Sequence, residues 1–197
     1  MNLDTSFQNC KCLMKKQKND LSSSLSEKTE KMLNHQVMME GKSSAYYLSM
    51  ASWCDMKGYM HSAKFLYRHA EEERMHMLRL VHYINDSGGY ALQPEITGLP
   101  HTFTSLKAVF ELILEHEILV TQSINEIVDH TLTVKDFATF NFLQWYVSEQ
   151  REEELLSRRA VELFDIIGEQ GVGLFTIDRE LGQLEQMVEK EKKEEKD

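Results

Sequence analysis

Four stretches of the chain carry apolar residues at alternating spacings of three and four, and each stripe turns polar near its middle. The first reads Leu33, Val37, Glu40, Ser44, Tyr47, Ala51 and Cys54. The second reads Ser62, Leu66, His69, Glu73, His76, Leu80 and Tyr83. The third is Leu106, Phe110, Ile113, Glu117, Val120, Ile124 and Ile127, with Glu117 as its one polar member. The fourth runs Thr139, Leu143, Tyr146, Gln150, Glu153, Ser157 and Ala160, then Phe164. This spacing belongs to the inward seam of a packed helix. It predicts α1 over about 27–56, α2 over about 60–86, α3 over about 105–131 and α4 from the "TVKD" segment (Thr133 to Asp136) to about Ile167.

The breaks between the stripes set the topology. "SLSE" (Ser24 to Glu27) has capping-box spacing and is expected to start α1. Gly58 marks a turn, and Gly88 with Gly89 ends α2. "GGYALQPEITGLPHTFT" holds both prolines, Pro94 and Pro100, and reads as a long connection. "GEQGVG" breaks the chain after α4, and an amphipathic α5 follows over about 174–188. Short, long and short connections make two helical hairpins joined by a crossover. The expected fold is all-α: a four-helix bundle with one long crossover and a short fifth C-terminal helix. Residues 1–24 are polar and aperiodic and are expected to form a disordered N-terminal tail. Residues 25–190 form the single domain, and 191–197 a charged C-terminal tail.

Composition narrows the partners. There are 22 Lys+Arg against 32 Asp+Glu, a net charge of −10, so a cationic ligand suits the surface better than nucleic acid. No apolar run approaches a membrane span, and the first twenty residues lack the apolar core of a signal peptide. Three cysteines, Cys10, Cys12 and Cys54, form no disulfide framework. A cytoplasmic protein is expected.

The polar middles of the stripes carry the chemistry. Glu40 lies 18 residues before Gly58 and His76 lies 18 after it, so the two sit level in an antiparallel hairpin. Glu117 and Gln150 are similarly placed about the second turn. All four helices therefore bring polar residues to one interior at half height. An ionised carboxylate in such a core costs several kcal/mol unless paired. Glu40, Glu73, Glu117 and Glu153 have no lysine or arginine on the same stripes. Four protonated carboxyls beside a histidine would be a strained arrangement, and bound cations resolve it. Carboxylates with histidine and no thiolate suit iron or manganese better than a structural zinc. Glu73 and His76 also match the Glu-x-x-His pattern of di-iron carboxylate bundles.

The segments "HAEEERMHM", "HEILVTQSINEIVDH" and "TFNFLQWYVSEQREEE" resemble the bacterial non-haem ferritins, and the resemblance runs from about residue 27 to 185. It implies an iron-storing ferroxidase: a cage of twenty-four copies that oxidises Fe²⁺ with O₂ or H₂O₂ and deposits ferric mineral inside. By resemblance, Glu40, Glu73 and His76 hold one iron of a di-iron centre. Glu73 bridges to a second, held also by Glu117 and Glu153 with Gln150 beside it. Tyr47 matches a tyrosine near the centre. Glu72, Glu149 and Glu152, with Glu153, resemble a third iron site, although their spacing alone reads as a charged flank. Bacterioferritins carry a second Glu-x-x-His where this chain has Gln150-x-x-Glu153, which implies a more weakly held second iron. Their haem-binding methionine falls at Arg74, so no haem is expected. "FATFNFLQW" lacks the acids that line the iron channels of animal ferritins.

His69, on the same stripe as Glu73, reads as a hydrogen-bonded core histidine. Tyr47 and Trp145 read from spacing as core aromatics, and the methionines as packing. A two-thiol "CKC" in the tail is weak as a metal motif. The alternative function is a di-iron redox enzyme that stores nothing. The paired Cys-x-x-Cys motifs that usually accompany such an enzyme are absent from the sequence.

Overall fold

Helix α1 spans Glu27–Lys57 and α2 spans Met60–Asp86; α3 is Leu106–Val134, α4 Phe137–Ile167 and α5 Gly173–Leu181. The structure, a computed structural model, describes residues 23–184. The expected tail before residue 23, residues 185–188 of the expected α5 and the charged C-terminus lie outside that range, as do Cys10 and Cys12; within it α5 already ends at Leu181, with Gly182 as its C-cap, short of the expected residue 188. No helix among the described residues is long and apolar enough to cross a membrane.

Each boundary has a local cause. The N-cap of α1 is Ser26, whose Oγ accepts from the Thr29 amide at 3.0 Å. The expected capping box from Ser24 therefore does not form. Ser24 instead donates its amide to the Ser87 carbonyl at 3.1 Å, which ties the start of α1 to the end of α2. Gly58 closes α1 at φ 84°, a left-handed conformation that glycine adopts without strain. Asp136, the last residue of the "TVKD" segment, caps α4 by accepting from the Thr139 amide.

The crossover from residue 87 to 105 runs along α1 in the same direction. Asn34 bonds the backbone of Tyr90 and Leu92, and Ser49 bonds that of Pro100. Between them Pro94 packs over Gly41; a Cβ at Gly41 would meet Pro94 Cγ at 2.9 Å and Met77 Sδ at 3.0 Å. Carried back along α1, the chain enters α3 antiparallel to it.

Polar pairs record the register. Thr29, Ser43 and Gln36 of α1 meet His130, His116 and Ser123 of α3. His69, His76 and Tyr83 of α2 meet Glu153, Tyr146 and Thr139 of α4. Along both diagonals successive partners are seven residues apart on each helix, the repeat of a supercoiled bundle.

The apolar core is in two halves. One holds Leu33, Val37, Leu80, Ile84, Val120, Ile124 and Leu143. The other holds Met50, Leu66, Leu106, Phe110, Ala160 and Phe164, and α5 closes it with Ile177 and Leu181. Helix α5 is anchored by an acid. The α2 N-terminus has no side-chain cap of its own. Asp178 supplies one: its Oδ1 accepts from the Ser62 amide at 2.8 Å and the Ser62 hydroxyl at 2.7 Å, and its Oδ2 from the His61 amide at 3.3 Å.

A candidate metal centre at half height

Between the two apolar halves all four long helices contribute buried polar side chains. Glu40 comes from α1, Glu73 and His76 from α2, Glu117 from α3, and Gln150 and Glu153 from α4. None is more than 6% exposed. The seven-residue steps bring these positions to one level, and the apolar residues above and below deny them water.

Glu40, Glu73 and His76 each offer one donor atom within 4.8 Å of the others. His76 Nδ1 lies 4.0 Å from Glu40 Oε2 and 3.8 Å from Glu73 Oε2. Those two carboxylate oxygens are fully buried and have no hydrogen-bond partner in the structure. Unsatisfied buried oxygens are costly, and a pair of them facing one imidazole nitrogen is what a cation would satisfy. Glu40 Oε1, by contrast, accepts from Gln36 Nε2 at 2.8 Å. Tyr146 donates its hydroxyl to the His76 carbonyl at 2.8 Å, and Trp145 meets the His76 ring edge-on.

Glu117 is held on both sides. Tyr47 donates to its Oε1 at 2.6 Å, and Gln150 Nε2 donates to its Oε2 at 3.0 Å. Tyr47 is thus more than a packing aromatic, because its hydroxyl orients a carboxylate of the centre.

A second group of donors adjoins the first. His69 Nδ1 lies 3.4 Å from Glu153 Oε2 and 3.5 Å from Glu72 Oε2. His69, Glu72 and Glu153 also place one donor atom each within 4.8 Å. Glu149 sits on the other side, its Oε1 3.8 Å from His76 Nε2. Neither Glu149 nor Glu152 belongs to either three-donor group. Sequence reasoning left His69 out of the site. The available signal was its stripe position, one turn before Glu73, but its partner Glu153 comes from a helix distant in sequence.

Electrostatics follow from burial. Glu73 is raised well above the ordinary carboxyl value, first by burial and then by the charges of Glu40 and Glu117. Burial also raises Glu40, against the opposing pull first of a proton-holding Glu73 beside it and then of Gln36 and His76. Glu117 is pushed up to about 7 by burial and by Glu153, although Tyr47 and Gln150 stabilise its charge. Burial disfavours a charge on His69, but Glu153 and Glu72 outweigh it and its value rises. Without cations the cluster thus holds protons that isolated carboxyls would release near neutral pH, and a bound cation would take their place.

The ferritin-like domain family model matches residues 30–166, the four long helices together with their crossover. This chain belongs to the ferritin family. It is 48% identical over 160 residues to a probable bacterial non-heme ferritin-like protein of Haemophilus influenzae, covering 81% of this chain and 97% of that one. To the bacterial non-heme ferritin of Campylobacter jejuni it is 44% identical over 155 residues, covering 79% and 93%. Among solved structures, an open-pore ferritin from Archaeoglobus fulgidus superposes with a TM-score of 0.78 at 38% identity, covering 82% of this chain and 98% of that one. The expected all-α ferritin-like fold is thereby established from two directions, sequence and architecture.

Proposed function

We propose that this chain is an iron-storing ferroxidase that oxidises Fe²⁺ at the half-height cluster and lays down ferric mineral inside a closed homo-oligomeric cage of twenty-four copies. The observation that carries this reading is the pair of buried, unbonded oxygens on Glu40 and Glu73, which face His76 Nδ1. Membership of the ferritin family supports it.

Iron is the substrate. Glu40, Glu73 and His76 take the first Fe²⁺. Glu73 extends to a second, which Glu117 and Glu153 share, with Gln150 fixing the far oxygen of Glu117. Hard carboxylate oxygens favour the ferric over the ferrous state and so favour oxidation. Each of two Fe²⁺ ions gives one electron to O₂, which takes two protons and leaves as H₂O₂. With H₂O₂ as oxidant, the same two electrons and two protons give water. Tyr47 holds Glu117 for ligation, and the apolar layers keep bulk water from the reacting pair.

A single imidazole faces two carboxylates, so the ferric product is held by few nitrogen ligands and can pass on. Glu72 and Glu153, converging with His69, support a third iron position, to which Glu149 and Glu152 belong by resemblance. Assembly has a physical rationale as well: Ile166, Val172 and Phe175 stand exposed where α4 turns into α5, an apolar surface suited to burial against other copies.

The double variant Glu73→Ala/His76→Ala tests the centre by stopped-flow absorbance after mixing with Fe²⁺ in air. Rapid oxidation is expected to disappear, and undiminished oxidation would overturn the assignment. Size-exclusion chromatography followed by iron loading tests storage. Oxidation by a species no larger than a lone bundle, with no iron retained, would favour the non-storing redox enzyme.

A further inference from the structure

Gln36 is fully buried, yet it lies off the inward stripe formed by Leu33, Val37 and Glu40. Both ends of its amide are engaged. Nε2 donates to Glu40 Oε1 at 2.8 Å, and Oε1 accepts from the hydroxyl of Ser123, on α3, at 2.7 Å. The two contacts fix the amide orientation together. An ionised carboxylate can only accept, so the amide nitrogen must face Glu40. The carbonyl must then face Ser123, which has a proton to give. A flipped amide would set two acceptors against each other next to the metal cluster.

Glu40 therefore has one oxygen occupied and one free. The occupied Oε1 points to Gln36. The free Oε2 is buried without a hydrogen-bond partner, 4.0 Å from His76 Nδ1. We propose that Gln36, locked by Ser123 across the α1–α3 seam, is a positioning residue that turns Glu40 so that Oε2 alone is presented to the substrate iron. This deepens the ferroxidase reading and rests on it. Gln36 touches neither iron nor oxidant, and it acts through Glu40. The cost of losing such an outer partner is typically about 10–100-fold in metal affinity.

The test uses Co²⁺, an air-stable divalent stand-in for Fe²⁺, titrated into the assembled metal-free protein by calorimetry and by its visible absorption. Gln36→Met keeps the side-chain length and removes both amide contacts. It is expected to weaken one Co²⁺ site by about 10–100-fold while leaving assembly unchanged. Ser123→Ala leaves the amide in place but frees it to turn, and it should weaken the same site by less. Because Ser123 acts only through Gln36, the double variant should match Gln36→Met alone within about twofold. Steady-state Fe²⁺ oxidation should show a raised KM with kcat less affected.

Wild-type Co²⁺ affinity in Gln36→Met would overturn the inference and leave the centre itself intact. Losses that multiply in the double variant would overturn it too, because Ser123 would then act independently. Failure of the wild-type protein to bind Co²⁺ within the bundle would instead overturn the proposed function, and the inference with it.

Discussion

Replacing Glu117 by glutamine should stabilise the metal-free fold, by an amount that grows with pH. Glu117 is fully buried, and its carboxyl is pushed from 4.5 up to about 7 by burial and by Glu153. The folded protein therefore keeps this proton over a range in which the unfolded chain has lost it. Stability falls as pH rises from the ordinary carboxyl value to about 7, and the penalty is complete above that. At ~1.4 kcal/mol per pH unit the shift corresponds to about 3 kcal/mol. Glutamine keeps the shape and never ionises. It can still satisfy both neighbours: its carbonyl accepts from the Tyr47 hydroxyl, and its amide donates to Gln150 once the Gln150 amide turns to present its carbonyl. The variant should be more stable than wild type by about 3 kcal/mol at pH 8 and about 1 kcal/mol at pH 5, converging below pH 4.5. For a chain of this length that is a rise in Tm of roughly 6–12 °C at pH 8. Scanning calorimetry on chelator-treated protein at matched concentrations would measure it. Saturating Co²⁺ should reverse the order, because wild type gains a ligand-bound state that the variant partly loses. A variant no more stable than wild type at pH 8, or a gap independent of pH, would refute the reasoning.

Two further outcomes test the scaffold. Asp178→Ala removes the acceptors for the Ser62 and His61 amides, and should cost about 1–2 kcal/mol while speeding hydrogen exchange at Ser62. Unchanged exchange there would show that α5 does not cap α2. Gly41→Ala forces a methyl group against the rigid ring of Pro94. It should cost about 1–3 kcal/mol, read as a lower thermal midpoint and earlier proteolysis of the crossover; an unaltered midpoint would mean that the crossover can lift away freely.

The stripes carried the fold because a helix that buries one face must write that face into its sequence. Level placement of Glu40 and His76 followed from their equal distance to Gly58, and the structure sets their side chains 4.0 Å apart. Contacts across the diagonals were not legible. Gln36 lies beside the stripe, and nothing in its spacing ties it to Ser123 on α3. His69 read as a hydrogen-bonded core histidine rather than a donor of the site, because its partner Glu153 lies in another helix. Ser24 had the capping-box spacing to Glu27, but it is drawn to the end of α2, and the cap falls to Ser26, which lacks that spacing. Nothing in the spacing of Asp178 ties it to the start of α2. A clue was present, since no serine, threonine, asparagine or aspartate stands immediately before α2 to cap it.

Cys54 lies in the apolar half that α5 closes, with no measurable exposure, and its thiol is pushed up to about 12 by burial. Only about one molecule in 10⁵ carries the reactive thiolate at pH 7. On the proposed function, a container whose turnover would release hydrogen peroxide needs walls that its exhaust does not corrode. Sulfur sealed in this form contributes packing while staying outside the oxidation ladder, so repeated filling should leave that part of the wall chemically unaged.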